Sequence, residues 1–366
     1  MLFHSTVRKE LARSFGASLV VLVTIIVTMT LIRTLSLANR GSVNPEEVMM
    51  VMGYTVLGYL ATVLTLSLFI AIVGTVSRMY RDSEMVIWFS AGRGLAALVK
   101  PLFGFAWPVQ LVIALLSLVI WPWANQQTQE LKDRYGRRGD LERVAPGQFQ
   151  ESAGGQRVFF LDKDTPDNKS GRNIFISTLE KDRETVTSAR SGRVDTIGDS
   201  QFLMLSNGQR LENSLSGDGL RISEFEVHGS KVRGSTITSM DESPVKTRST
   251  LSLVREPNLR NQGELAWRLG TAFAAVNFIL LALTVSSVNP RVGRSGNLVF
   301  ALFAFVVYFN LLNLGQSWIS SGRVPFGPYV LLLHGGTFAT AAFWLGKQHN
   351  NWGLAPLLQR LRSRAQ

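Results

Sequence analysis

The sequence contains no cysteine, which excludes disulfides and thiolate metal sites and is compatible with an oxidising compartment. Acidic residues are scarce outside one stretch. Between Trp123 and Gln262 there are 21 Lys and Arg against 20 Asp and Glu, whereas the rest of the chain has 17 against 6. The net charge of +12 therefore lies almost wholly in the flanking segments. A nucleic-acid-binding protein would carry its basic excess on the soluble part. This distribution speaks against nucleic acid and for anionic lipid headgroups. No G-x-x-x-x-G-K-[ST] phosphate loop occurs, so the chain cannot hydrolyse ATP alone. The middle stretch has one histidine, His228, and carboxylates scattered along strand-like runs. That pattern offers no metal cluster and no nucleophile beside a base.

What the chain does have is apolar length, with 46% hydrophobic residues in 366. Runs at Phe15 to Leu37, Val51 to Ser77 and Pro101 to Trp121 precede the polar stretch, and runs at Leu265 to Val288, Leu298 to Ile319 and Tyr329 to Leu345 follow it. A bilayer core of about 30 Å needs about 20 apolar helical residues. The expected architecture is an α+β membrane protein: residues 1–122 as a three-helix half, 123–262 as an inserted domain, and 263–366 as a second three-helix half with a tail.

Lys and Arg are retained on the cytoplasmic side of short loops. Arg8, Lys9 and Arg13 precede the first span, and Arg78, Arg81, Arg93 and Lys100 lie between the second and third. Arg291 and Arg294 lie between the fourth and fifth, and Lys347, Arg360, Arg362 and Arg364 follow the sixth. The opposite loops hold Arg40 and Arg323. Both termini are thus expected in the cytoplasm, with the inserted domain facing outward.

Phe3, Val7, Leu11 and Phe15 recur at helical spacing among cations, which suits an interfacial lead-in to the first span. A signal peptide competes, because Ser36-Leu37-Ala38 resembles a small-residue cleavage site; the apolar stretch is too long for one, and Arg33 interrupts its end. Arg33 itself either snorkels to local phosphates or meets an anionic lipid substrate. Asn44, Pro45 and Glu47 have the spacing of a helix start.

Between the second and third spans, Asp82 or Ser83 can cap a short helix, and Glu84 suits its first turn. Met85, Val86, Ile87, Trp88 and Phe89 make that helix apolar on most sides, so it needs a surface to bury against. Its own spans and a groove on a partner protein are the two choices. Gly92-Arg93-Gly94 matches a loose dinucleotide pattern, without the surrounding βαβ unit.

The inserted domain reads as β. Runs at Arg157 to Asp162, Asn173 to Glu180, Glu184 to Ala189, Gln201 to Ser206 and Leu220 to Val227 are separated by turn residues such as Asn207-Gly208 and Ser216-Gly217-Asp218-Gly219. Short regular strands suggest a sandwich or jelly roll. Binding through a cleft or sheet edge is then more plausible than catalysis.

Several segments in order along nearly the whole chain resemble one family. They are RDSEM at Arg81 to Met85, GQFQ at Gly147 to Gln150, LSNGQRLE at Leu205 to Glu212, GELAWRLG at Gly263 to Gly270 and VNPRVGRSGN at Val288 to Asn297. Together they resemble the lipopolysaccharide-export permeases of the LptF/LptG family, and LIRTL at Leu31 to Leu35 leans toward the LptF branch. The resemblance implies six transmembrane helices with a periplasmic β-jellyroll domain inserted between the third and fourth, in a bacterial inner membrane. It further implies a paralogous LptG-like permease, a cytoplasmic ABC ATPase dimer that binds the ATP, a bitopic LptC-like protein, a periplasmic jellyroll bridge and lipopolysaccharide as cargo. No cofactor is expected in this chain.

By the same resemblance, Glu84 matches the acidic residue of a coupling helix, at about 80–95, that docks in the ATPase groove. Asp82, Met85, Trp88, Arg291 and Arg294 are the further expected coupling residues. Arg33 matches a basic residue at the lipid cavity. Family members can carry a second basic residue one turn earlier, where this chain has Thr30, and Arg323 is the candidate replacement. Asn310, Asn313 and Ser317 share one face of the fifth span, as lipid contacts or as helix-to-helix hydrogen bonds. A mechanotransmitting ABC permease and an envelope-sensing receptor, neither of which moves lipid through its spans, are the other classes open to such a chain; the small cytoplasmic parts count against the receptor.

Overall fold

A computed structural model describes residues 2–39, 43–92, 94–137, 149–151, 157–160, 162, 170–180, 183–197, 200–214, 219–231, 244–287 and 294–349. Among the described residues, six helices are long and apolar enough to cross a membrane: Ser5–Asn39, Pro45–Arg81, Leu95–Tyr135, Leu259–Ser286, Gly296–Ser320 and Phe326–Gln348. Between the third and fourth lies an antiparallel sheet. The chain divides into two compact units, one of Met1–Thr28, Tyr54–Gln126 and Pro244–Gln366, the other of Met29–Gly53 and Gln127–Ser243.

Within the first unit the fourth span is largely buried, with Ala274, Phe278, Ile279, Ala282 and Leu283 in the core. Phe278 is its anchor, stacking at 4.7 Å on Phe69 of the second span and at 5.3 Å on Phe305 of the fifth. Small residues bring the backbones close. A Cβ on Gly263 would lie 2.7 Å from the Gln316 carbonyl, and one on Gly315 would lie 2.0 Å from Tyr329 Cζ. The first span, by contrast, leaves Val20, Val21 and Ile25 more than half exposed. Such a face suits lipid or another membrane helix.

Among the described residues, π-helical turns occur at Leu116–Ile120 in the third span and Leu331–Gly335 in the sixth. The third helix does not stop at Trp121 but continues as Trp121–Arg137. Its polar residues Gln126, Gln127, Gln129, Glu130, Lys132 and Arg134 are good or fair helix formers without an intervening proline, so the helix outlasts its apolar stretch. At the second span, Asn44 accepts the Glu46 amide at 3.1 Å with Pro45 following, the expected helix start.

Among its described residues the second unit holds six strands, β1 (Phe149–Glu151), β2 (Arg157–Phe160), β3 (Ser170–Glu180), β4 (Arg183–Ile197), β5 (Ser200–Ser214) and β6 (Leu220–Lys231), paired in sequence order. Ile174, Ile176, Ala189, Leu203 and Leu205 form their core, with Phe225 against it. Strands β3 to β6 are longer than their runs in the sequence and β2 is shorter, and Asn207-Gly208 is not a turn: both residues lie inside β5. Asn207 takes φ 52°, a conformation open to asparagine, so the strand passes through it. Asn173 has φ 48°, and the flanking pairs place Asn173, Arg190, Asn207 and Glu226 in one row across β3 to β6. No ladder pair is made in that row. Beside it, a Cβ on Gly208 would be 2.4 Å from the Ser188 carbonyl, an approach only glycine permits. An open groove of about 870 Å³ runs here, lined by Phe149, Phe160, Phe175, Arg190, Phe225 and Glu226 among others.

Candidate functional site

The second span ends in a charged hub built on Arg78. Its guanidinium pairs with Glu10 of the first span, with Asp82 one turn on at 3.1 Å, and with Glu84 at 2.8 Å. The chain then reverses through Ser83, at φ 58°, into the helix Glu84–Ser90. Neither expected cap forms. Ser83 is the N-cap residue but makes no side-chain cap bond, and the Asp82 carboxylate is taken by two guanidinium groups. The Arg81 guanidinium, followed by that of Arg78, holds the Asp82 carboxyl below its usual range.

Burial on this short helix is one-sided. Met85 is buried in the main core and Trp88 packs against it, while Val86, Ile87 and Phe89 are exposed. One face is thus seated on its own spans, and the other is left uncovered in this chain. Arg291 and the side chain of Arg294 lie outside the described residues.

A second polar cluster sits where the fourth span begins. Glu264 and Arg268 are buried, at 1% and 0% exposure, and bond at 3.0 Å one helical turn apart. Glu264 also accepts from Trp121 Nε1 at 2.9 Å and from Gln316 Nε2 at 2.8 Å. Arg268 donates to the carbonyls of Arg248 and Lys246 and to Thr250 Oγ1. Thr250 in turn donates to the carbonyl of Leu118, inside the π turn of the third span. One ion pair thus braces the third, fourth and fifth spans and the segment that follows the sheet. A third cluster, deeper in the bundle, joins Asn277 to Tyr308 at 2.9 Å and Tyr308 to His334 Nδ1 at 2.7 Å.

Asn310 and Asn313 are exposed on the fifth span. Asn310 bonds its own helix at Val306, whereas Asn313 accepts from Trp267 Nε1 of the fourth span at 3.1 Å. Arg323 is exposed just beyond that span. Arg33 is exposed on the first helix and belongs to the second unit. Sequence reasoning missed Arg78, Glu10, Glu264, Arg268 and the Asn277 cluster. Only the four-residue spacing of Glu264 and Arg268 inside GELAWRLG carried a signal.

Among the described residues, no group of His, Asp or Glu could hold a metal. Among the described residues, six apolar helices with buried polar braces, and a half-covered apolar helix beyond the second, define a multi-pass membrane protein. The chain belongs to the LptF/LptG family, since the model of the lipopolysaccharide export system permease LptF/LptG matches residues 6–347. It is similar to the lipopolysaccharide export system permease protein LptF of Escherichia coli (strain K12), with 26% identity over 305 residues and 82% of each chain covered. The LptF of Shigella flexneri matches to the same extent. The family is a permease component of the export system, not a catalytic subunit.

Proposed function

We propose that this chain is the permease subunit of an ABC transporter that extracts lipopolysaccharide from the bacterial inner membrane and passes it to a periplasmic bridge toward the outer membrane. In this reading it pairs with an LptG-like permease and an ABC ATPase dimer, which binds the ATP, and hands cargo on through an LptC-like protein. The termini are cytoplasmic. The six-stranded sheet, with its groove, belongs to a periplasmic jellyroll that receives the lipid.

The observation that carries this reading is the helix Glu84–Ser90. Met85 and Trp88 fasten it to the bundle while Val86, Ile87 and Phe89 stay exposed, and an apolar face of that kind needs an external surface. Glu84 is tied through Arg78 to Glu10 of the first span, so a push on the helix reaches the span that carries Arg33. Closure of the ATPases would move these spans together and expel lipid toward the sheet. Arg33 then meets a cargo phosphate, with Asn310, Asn313 and Arg323 as further contacts.

The test is co-purification. An affinity-tagged chain should bring down an ATPase, and the purified complex should hydrolyse ATP while the chain alone does not. Full ATPase activity from the isolated chain would sink the reading.

A further inference from the structure

A cleft of about 630 Å³ lies between the start of the first span and the last turns of the second, lined in part by Lys9, Arg13, Ser14, Gly74, Thr75 and Arg78. Its size is within the range of about 300–1,000 Å³ usual for small-ligand sites. We propose that it binds the phosphate headgroup of an anionic glycerophospholipid, in the leaflet at the coupling-helix end of the bundle. This site is separate from any contact between Arg33 and exported lipid.

The charges argue for an anion. Lys9 and Arg13 lie one helical turn apart, a like-charge spacing that disfavours the helix unless something lies between them. Both are exposed, and among the described residues neither has an ion-pair partner. Glu10, the one acid in the cleft, is held by Arg78. Arg78 is in turn engaged by Asp82 and Glu84, so the open cationic demand of the cleft rests on Lys9 and Arg13.

The floor supplies a hydroxyl. Thr75 is 3% exposed, and its Oγ1 has no hydrogen-bond partner among the described residues. Thr65 on the same span bonds the carbonyl four residues back at 2.8 Å, the usual outlet for a threonine within an apolar helix. Thr75 makes no such bond and lies in the wall of the cleft. Gly74 keeps the floor open, because a Cβ there would meet only Ser14 Oγ, at 3.7 Å.

The surroundings argue for a lipid rather than a free phosphate. Arg13, Ala17, Val20, Val21 and Thr24 are exposed at three- and four-residue spacing along the first helix, so they form one stripe. It begins with a cation at the end of the span and continues as apolar surface, with Val20 67% and Val21 58% exposed. A phosphodiester in the cleft with an acyl chain along that stripe matches both parts, as basic pockets between transmembrane helices do for anionic headgroups.

Purified permease–ATPase complex in nanodiscs of phosphatidylethanolamine with phosphatidylglycerol tests this, with bound lipid counted by native mass spectrometry after gentle extraction. The unaltered complex should retain phosphatidylglycerol in preference to phosphatidylethanolamine. Lys9→Gln with Arg13→Gln should lower that retention by about tenfold or more, whereas Lys9→Arg with Arg13→Lys should keep it, which separates lost charge from lost fold. Equal retention in the Gln variant, no preference for phosphatidylglycerol, displacement by inorganic phosphate, or lipopolysaccharide as the retained species would each overturn the proposal. Lipopolysaccharide capture at position 33 is the separate readout of the export reading, so either idea can fail without the other.

Discussion

Glu84 Oε1 lies 2.8 Å from Nη1 of Arg78, with the two side chains 38% and 29% exposed. An ion pair this open contributes only about 0.2–1 kcal/mol to the fold. Glu84→Ala should therefore leave the thermal stability of the assembled complex nearly unchanged. Transport-coupled ATP hydrolysis should fall by about tenfold, the scale of a lost charged hydrogen bond to a partner. Normal coupling in the variant would mean that Glu84 only organises the turn.

The Glu264 and Arg268 pair behaves differently because it is buried. Removing one partner of such a pair costs about 3–5 kcal/mol, since the other charge is left uncompensated. Glu264→Ala or Arg268→Ala should each lower the melting temperature and the yield of folded protein, while Glu264→Gln with Arg268→Met should recover part of the loss. A melting curve of the purified complex decides this. If the single and double variants are equally damaged, shape rather than charge holds the brace.

Much of this organisation is legible in the sequence because hydropathy and turn chemistry are local signals. Six apolar runs mark six helices, and Asn44-Pro45 marks the start of the second. The third helix outruns its apolar run because helix propensity continues to Arg137 after hydrophobicity has stopped. Asn207-Gly208 reads as a turn because both residues tolerate left-handed backbone, and only the pairing of β4, β5 and β6 shows that the strand passes straight through them. Met85 and Trp88 stand out by their chemistry, but which face of their helix is buried depends on the bundle. The clusters at Glu264 and Asn277 stay hidden because their partners lie 31 to 143 residues away, at Trp121, Gln316, Tyr308 and His334.

Arg210 Nη1 lies 3.3 Å from His228 Nε2 across β5 and β6. Burial first, then the Arg210 charge, holds the imidazole below its usual range. The unfolded chain takes up a proton near pH 6.5 and the folded sheet does so only at lower pH. Stability of the sheet should thus be unaffected by this group at neutral pH, decline as pH falls below about 6.5, and level off below the folded value. Hydrogen exchange of β5 and β6 between neutral and mildly acidic pH should show the decline, and His228→Gln should flatten it. Increasing protection on acidification would reverse the assignment.

The most direct test of the account places a photocrosslinker at position 33, or at position 310, of the assembled complex in membranes that contain lipopolysaccharide. Both sites should capture lipopolysaccharide without ATP, and ATP should chase the label from them. Arg33→Glu should reduce capture at position 310 and export more than Arg33→Lys, because lysine keeps the charge and loses only the planar fork. Absence of captured lipopolysaccharide at both positions, with normal export, would contradict the passage of cargo along these spans.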